Sequence, residues 1–267
     1  MKYKIDHDYH IHTNISSCCS DENQTAQNIL QYAKLNKLNK ICVTDHYWDS
    51  DVLGASDWYK PQNFEHIAQI LPLPKLNEVN FLFGCETDMD KNFQIGIPPK
   101  RYNSFDFIII PTTHLHMTDF TISSADSKSN EKRAKLWVER FDALLNMDLP
   151  FHKIGIAHLT SDLINFYNRK DLIDTINLIK SDDMERLFSK ASKLKVGIEL
   201  NQSDMFFSDN EADVFLRPFK IAKNCGCKFY LGSDSHSQEW FKNSINAFER
   251  AINLLDLKES DKFEIME

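Results

Sequence analysis

The most restrictive feature of this chain is a series of short, unbroken apolar runs, most of them followed by a longer stretch with helical spacing. Ile41-Cys42-Val43, Phe107-Ile108-Ile109-Ile110 and Val196-Gly197-Ile198 contain no polar residue. That is the pattern of strands covered on both faces, since a half-solvated strand alternates. Strands are expected at Tyr9–His12, Lys40–Thr44, Asn80–Gly84, Phe105–Pro111, Lys153–His158, Lys195–Leu200 and Lys228–Ser233. Between them, Ala26–Asn36 spaces Ile29, Leu30, Ala33 and Leu35 as a helix does, and Glu131–Leu145 carries Leu136, Val138, Phe141, Leu144 and Leu145. Met184–Leu194 follows the capping-type residues Ser181-Asp182-Asp183, and Trp240–Leu255 sets Ile245, Phe248, Ile252 and Leu255 on one stripe. Gly226 reads as the stop of a helix that includes Ile221–Asn224. Strand–helix repetition with little hairpin chemistry implies a mostly parallel sheet. About seven strands in a chain this long suit a closed or nearly closed barrel, a single domain over residues 1–267; a doubly wound open sheet is the alternative.

Charge and composition narrow the partners. Lys plus Arg number 31 against 39 Asp plus Glu, a net charge of −8, which argues against binding a nucleic-acid backbone or an anionic membrane surface. Several bound dications would reverse the sign locally, so an anionic small molecule remains a substrate class. No apolar run approaches the ~20 residues of a membrane span, and Met1–Asp8 lacks the apolar core of a signal peptide; the expectation is a soluble, cytoplasmic protein. The six cysteines form no pair of CxxC units, which excludes a structural zinc knuckle. Cys42 and Cys85 read as small core residues, and the thiols are expected to be free.

The histidines are not scattered. Of ten, seven fall at or just after the C-terminal end of an expected strand: His10 and His12, then His46, His114 and His116, His158 and His236. Only His7, His66 and His152 lie elsewhere. Strand ends make up roughly a tenth of the chain, so chance would place about one histidine there. Glu86 follows the third strand and Asp234 precedes His236. In a parallel barrel those ends converge on one mouth, where functional side chains gather. Imidazoles with carboxylates and few thiolates suit zinc, manganese or iron rather than calcium or magnesium. The donors exceed what one tetrahedral ion needs, so two or three divalent ions are expected, with Glu86 as a bridge. Neighbouring dications hold a shared water as hydroxide, which is hydrolase chemistry without a protein nucleophile.

Asp8-Tyr9-His10-Ile11-His12-Thr13, Thr44-Asp45-His46, Gly84-Cys85-Glu86, Thr113-His114, Ala157-His158, Ile198-Glu199-Leu200-Asn201 and Gly232-Ser233-Asp234-Ser235-His236 stand in an order that resembles the PHP (polymerase and histidinol phosphatase) superfamily. The resemblance spans residue 8 to about residue 240 and implies a distorted (β/α)7 TIM-like barrel with a metal-dependent phosphoesterase site at its mouth. It further implies that His10, His12, Glu86 and Asp234 hold one ion, Glu86 with His114 and His158 a second, and His46 with His236 a third. His116 is the alternative to His114. Trinuclear members have a histidine six residues after the second of the HxH pair; here that position is Cys18, with Asp21 a neighbouring substitute.

The expected reaction is hydrolysis of a small phosphorylated metabolite, with His116, or His236 if the third ion site is empty, protonating the leaving alcohol. Trp48, Trp58 and Tyr59 in one loop, and Met205, Phe206 and Phe207 in another, are candidate walls for the organic group. The histidinol-phosphatase branch resembles the chain less well, because it has a phosphate-binding arginine after the sixth strand where this chain reads Asn201-Gln202-Ser203-Asp204. Asn201, Arg169 and Arg217 are the substitute candidates for binding substrate. An amidohydrolase also begins with HxH but usually has a bridging lysine, absent from these strand ends. A non-catalytic metal-binding module is the third reading.

Overall fold

The computed structural model describes residues 1–265. Seven strands, β1 (His7–Ile11), β2 (Lys40–Val43), β3 (Asn80–Glu86), β4 (Phe107–Ile109), β5 (Ile154–Ile156), β6 (Gly197–Asn201) and β7 (Lys228–Gly232), run parallel in chain order. The sheet does not stay open. Ile11 pairs in parallel with Ser235, the Asp234 N–H donates to the His10 carbonyl at 2.7 Å, and the His12 N–H donates to Ser235 at 3.0 Å. This closes a (β/α)7 barrel and sets aside the open doubly wound sheet. Unsatisfied sheet edges are thereby removed at the end of the barrel that carries the histidines.

The helices are α1 (Ala26–Leu35), α2 (Phe64–Ile67), α3 (Asn130–Leu145), α4 (Arg169–Leu178), α5 (Ser181–Leu194), α6 (Ala212–Asn224) and α7 (Ser244–Leu254). α1 begins where the Thr25 side chain accepts from the Asn28 N–H, and it buries Ile29, Leu30 and Ala33. Periodicity does not announce α4, which starts at the Asn168 cap. The early part of α6 is obscured in the sequence by Pro218, which the helix accommodates in its interior.

Two apolar clusters explain the continuous strand sequences. The larger packs the helices against the outside of the sheet. The smaller contains Tyr9, Cys42, Phe107, Ile109, Ala157 and Tyr230. The Tyr9 and Phe107 ring centroids are 5.7 Å apart although β1 and β4 are not neighbours; such contact is possible only across the barrel interior. The interior is therefore packed rather than hollow, and functional side chains are displaced to its rim. On β1 a bulge between Asp8 and Ile11 sends Tyr9 into that packed layer, His10 to the rim above it and Ile11 to the outer core.

Candidate metal centre

Strand ends deliver the donors to one place. Glu86, the last residue of β3, is 1% exposed. Its Oε2 lies 3.4 Å from His10 Nε2, 3.2 Å from His12 Nε2 and 3.2 Å from His46 Nδ1. Its Oε1 faces the other way, 3.4 Å from His158 Nε2 and 3.8 Å from His114 Nε2. Asp234 Oδ1 is 3.3 Å from His10 Nε2 and 3.1 Å from His12 Nε2. Neither Glu86 oxygen has a hydrogen bond of acceptable geometry. Two buried carboxylate oxygens without donors, each ringed by imidazole nitrogens, are the arrangement a cation resolves.

Three groups of donor atoms lie close enough to share an ion: His10, His12 and Asp234; His10, Glu86 and His158; and His12, Cys18, His46 and His236. The third brings Cys18 to the position at which the family resemblance expects histidine. Asp21 is not a substitute ligand: its two oxygens accept the backbone N–H groups of Asn23 and Gln238, both at 2.9 Å, which ties the turn after β1 to the segment before α7. Between the two rings after β4, His114 faces Glu86 and is held from behind by Asp88, Nδ1 to Oδ1 2.9 Å. His116 lies farther out, 5.3 Å from His114 between ring centroids, with its Nδ1 buried and unpartnered.

Electrostatics separates the rings into two kinds. Burial pushes His46 down to about 3 and His116 and His236 down to about 4, so each is neutral at pH 7, the form that ligates metals. For His12 and His158 burial also acts downward, but Asp234 and Glu86 outweigh it and hold them at about 8 and about 9. A site whose carboxylates raise buried imidazoles against desolvation is a site that demands positive charge. His158 and Asp234 also adopt left-handed backbone conformations, φ 62° and 52°, which for residues other than glycine is strain of the kind concentrated at functional sites.

Residues without an assigned role in the sequence reading orient these ligands. His10 Nδ1 donates to Glu199 Oε1 at 2.6 Å, leaving Nε2 free for a metal. Glu199 Oε2 accepts the His158 backbone N–H at 3.1 Å. Its signal is an acid inside the apolar run of β6, a placement seldom tolerated unpaired. Asp88 repeats the alternation of His10 and His12 two residues beyond Glu86; it also accepts from the Tyr59 hydroxyl at 2.7 Å.

Three expected substrate-binding residues lie elsewhere. Asn201 is fully buried, donates to Glu199 at 3.1 Å and accepts from the Ser203 N–H at 2.8 Å, so it supports the orienting carboxylate. Arg169 is committed to Glu211 at 2.8 Å and lies over the Phe215 ring. Arg217 donates to the Ile176 carbonyl. None of the three lines the cavity of about 660 Å3 that opens over the metal donors. Met205, Phe206 and Phe207 border a separate hollow with Arg169 and Arg250. Of the other aromatic loop, Trp58 and Tyr59 line the main cavity, whereas Trp48 is buried at 1% exposure behind it.

Fold and donors together define a (β/α)7 barrel with an imidazole–carboxylate metal centre at its mouth. Residues 8–203 match the model of the PHP domain. The chain belongs to the PHP domain family, and with this donor set it is a metal-dependent hydrolase. The histidinol phosphate phosphatase of Lactococcus lactis subsp. lactis Il1403, crystallised with zinc, L-histidinol and phosphate, is similar over 97% of this chain and 98% of its own, with 16% identity and a TM-score of 0.59. A candidate histidinol phosphatase of Listeria monocytogenes is similar over 91% of this chain and 99% of its own, with 13% identity and a TM-score of 0.61. At these identities the likeness is one of fold. No curated protein matches the chain.

Proposed function

We propose that this chain, as one catalytic unit over residues 1–267, is a cytoplasmic phosphomonoesterase that hydrolyses a small phosphorylated metabolite using two or three divalent ions, zinc, manganese or iron. Neither nucleic acid nor a membrane surface is its partner. The observation that carries the reading is Glu86, whose two buried oxygens face separate imidazole groups without a hydrogen-bond donor. His10, His12, Asp234 and Glu86 would hold one ion, Glu86 with His158 and His114 a second, and His46 and His236 with Cys18 a third. When bound, the ions supply a lowered water pKa and charge stabilisation for phosphoryl oxygens.

The chain's own residues do the rest. Glu199 fixes the tautomer of His10, and the Asp88 carboxylate stands 2.9 Å behind His114 Nδ1. His116 lines the cavity beside the ligands and is the candidate proton donor to the leaving alcohol; His236 takes that role only where the third site is empty. A dianionic phosphate beside either ring offsets part of the burial that depresses its pKa, restoring the proton affinity a general acid needs. The histidinol-phosphate and amidohydrolase readings rank below, the first because no arginine lines the cavity among the described residues, the second because no lysine does.

The test is to strip the protein with a chelator, refill it with zinc or manganese, and follow inorganic phosphate released from p-nitrophenyl phosphate. Metal-dependent release supports the reading. A protein that retains two or more ions per chain yet releases no phosphate, or that releases ammonia from amide substrates instead, overturns it.

A further inference from the structure

The cavity above the metal donors is much larger than a phosphate group requires and falls within the ~300–1,000 Å3 typical of organic ligands. Its wall has a definite chemistry. Trp58, Tyr59, Met117, Phe120 and Leu163 line it, and no lysine or arginine does among the described residues. Its only acidic side chain apart from Glu86, Asp88 and Asp234, which face the metal-site histidines, is the exposed Asp162 at the rim. The aromatic wall is held in place. The Tyr59 hydroxyl donates to Asp88 at 2.7 Å, the Tyr59 ring is 5.5 Å from Phe120, and Trp58 packs its ring perpendicular to Tyr59 at 4.7 Å and against His46 at 5.0 Å. Even so, Trp58 keeps 37% of its surface open, an unfilled aromatic face beside the reacting centre.

We propose that the leaving group of the substrate is an aromatic or aryl-alkyl alcohol with no second anionic group, packed against Trp58 and Phe120. The proposal rests on the phosphomonoesterase reading above. A second carboxylate or phosphate in this cavity would lose its hydration opposite apolar carbon and Asp162, with no cationic side chain to receive it. The positive charge of bound ions would not fill that role: Glu86, Asp234 and the dianionic reacting phosphate together offset two dications, and a Cys18 thiolate with the hydroxide nucleophile would offset a third. An uncharged ring meets no such penalty and covers the open faces of Trp58 and Phe120.

The experiment compares benzyl phosphate, 4-carboxybenzyl phosphate and ethyl phosphate on the metal-loaded protein. All three release a primary alcohol, and the first two differ only by a carboxylate remote from the bond that breaks. The expected result is a kcat/KM for benzyl phosphate at least about tenfold above each of the others. In Trp58→Ala the benzyl-to-ethyl ratio falls by about tenfold, while Trp58→Phe keeps most of it. Equal rates for the carboxylated and uncharged esters, or a ratio unmoved in the properly folded Trp58→Ala variant, overturn the proposal while leaving the phosphomonoesterase reading intact. If no ester is hydrolysed by protein carrying its ions, that reading fails and the proposal falls with it.

Discussion

Glu86 bears the heaviest chemical demand of any side chain in this protein, because one buried carboxylate faces five imidazoles. Glu86→Ala should therefore lower the number of bound ions as well as abolish turnover, measured by metal analysis of purified protein; an unchanged stoichiometry would show that it does not bridge. Glu199 acts one step back. Glu199→Gln keeps the shape but weakens the charge-assisted bond to His10, and a loss of about 10–100-fold in metal affinity or activity is expected. At Cys18 the measurement is spectroscopic. Cobalt-loaded protein should show a thiolate-to-cobalt charge-transfer absorption that vanishes in Cys18→Ser, and its absence from the wild type would remove the thiol from the ligand set. At this scale the candidate donors that the structure gathers at the barrel mouth were readable from residue type and position alone. The roles of Asn201, Arg169 and Arg217 were not, because a polar residue near a strand end has no fixed direction until its neighbours are placed.

Among the elements, β1 and β7 meet at the closing seam of the barrel, and β6 places Glu199 behind His10. Gly232 lies where a Cβ would collide with Glu199 Oε1 and the Cβ of His10, so the missing side chain is what lets Glu199 approach His10. Gly232→Ala should displace that carboxylate, lower the melting temperature and weaken metal binding together; a variant with unchanged metal affinity would refute the coupling. Most strand positions were legible because they carry a continuous apolar run; β1 does not, and its alternating His10-Ile11-His12 marked it instead. Strand ends were less so, since β4 and β5 are only three residues long and their flanking apolar residues belong to loops buried over the barrel. α4 was missed for the opposite reason: its polar surface leaves only Leu172, Thr175 and Ile176 to mark a buried stripe.

For the whole molecule, the buried carboxylates at the barrel mouth predict a stability that depends on bound cations. Refilling chelated protein with zinc should raise its melting temperature in a concentration-dependent way, as ligand binding to the folded state requires; no shift would mean the mouth is stable without ions. Asp204 gives a pH signature. Burial pushes its carboxyl up to about 8, against ~3.9 in the unfolded chain. Between those values the folded state binds a proton the unfolded state lacks, so this group's contribution to stability declines as pH rises from about 4 to about 8. In metal-free protein, Asp204→Asn should melt higher than wild type by a margin that widens over that interval, and a constant margin would refute the assignment. No helix among the described residues is long and apolar enough to cross a membrane.

Residue type, order and apolar rhythm determined on their own that this chain forms parallel strands with imidazoles and carboxylates at one end, because strand burial and ligand chemistry are local properties of the sequence. Only the tertiary structure decided which donors lie close enough to share an ion, that Glu199 stands behind His10 from 189 residues away, and that Arg169 and Arg217 turn away from the cavity. Those outcomes depend on barrel closure, which brings Asp234 back to His10, and on loop paths set by competing hydrogen bonds far apart in the chain.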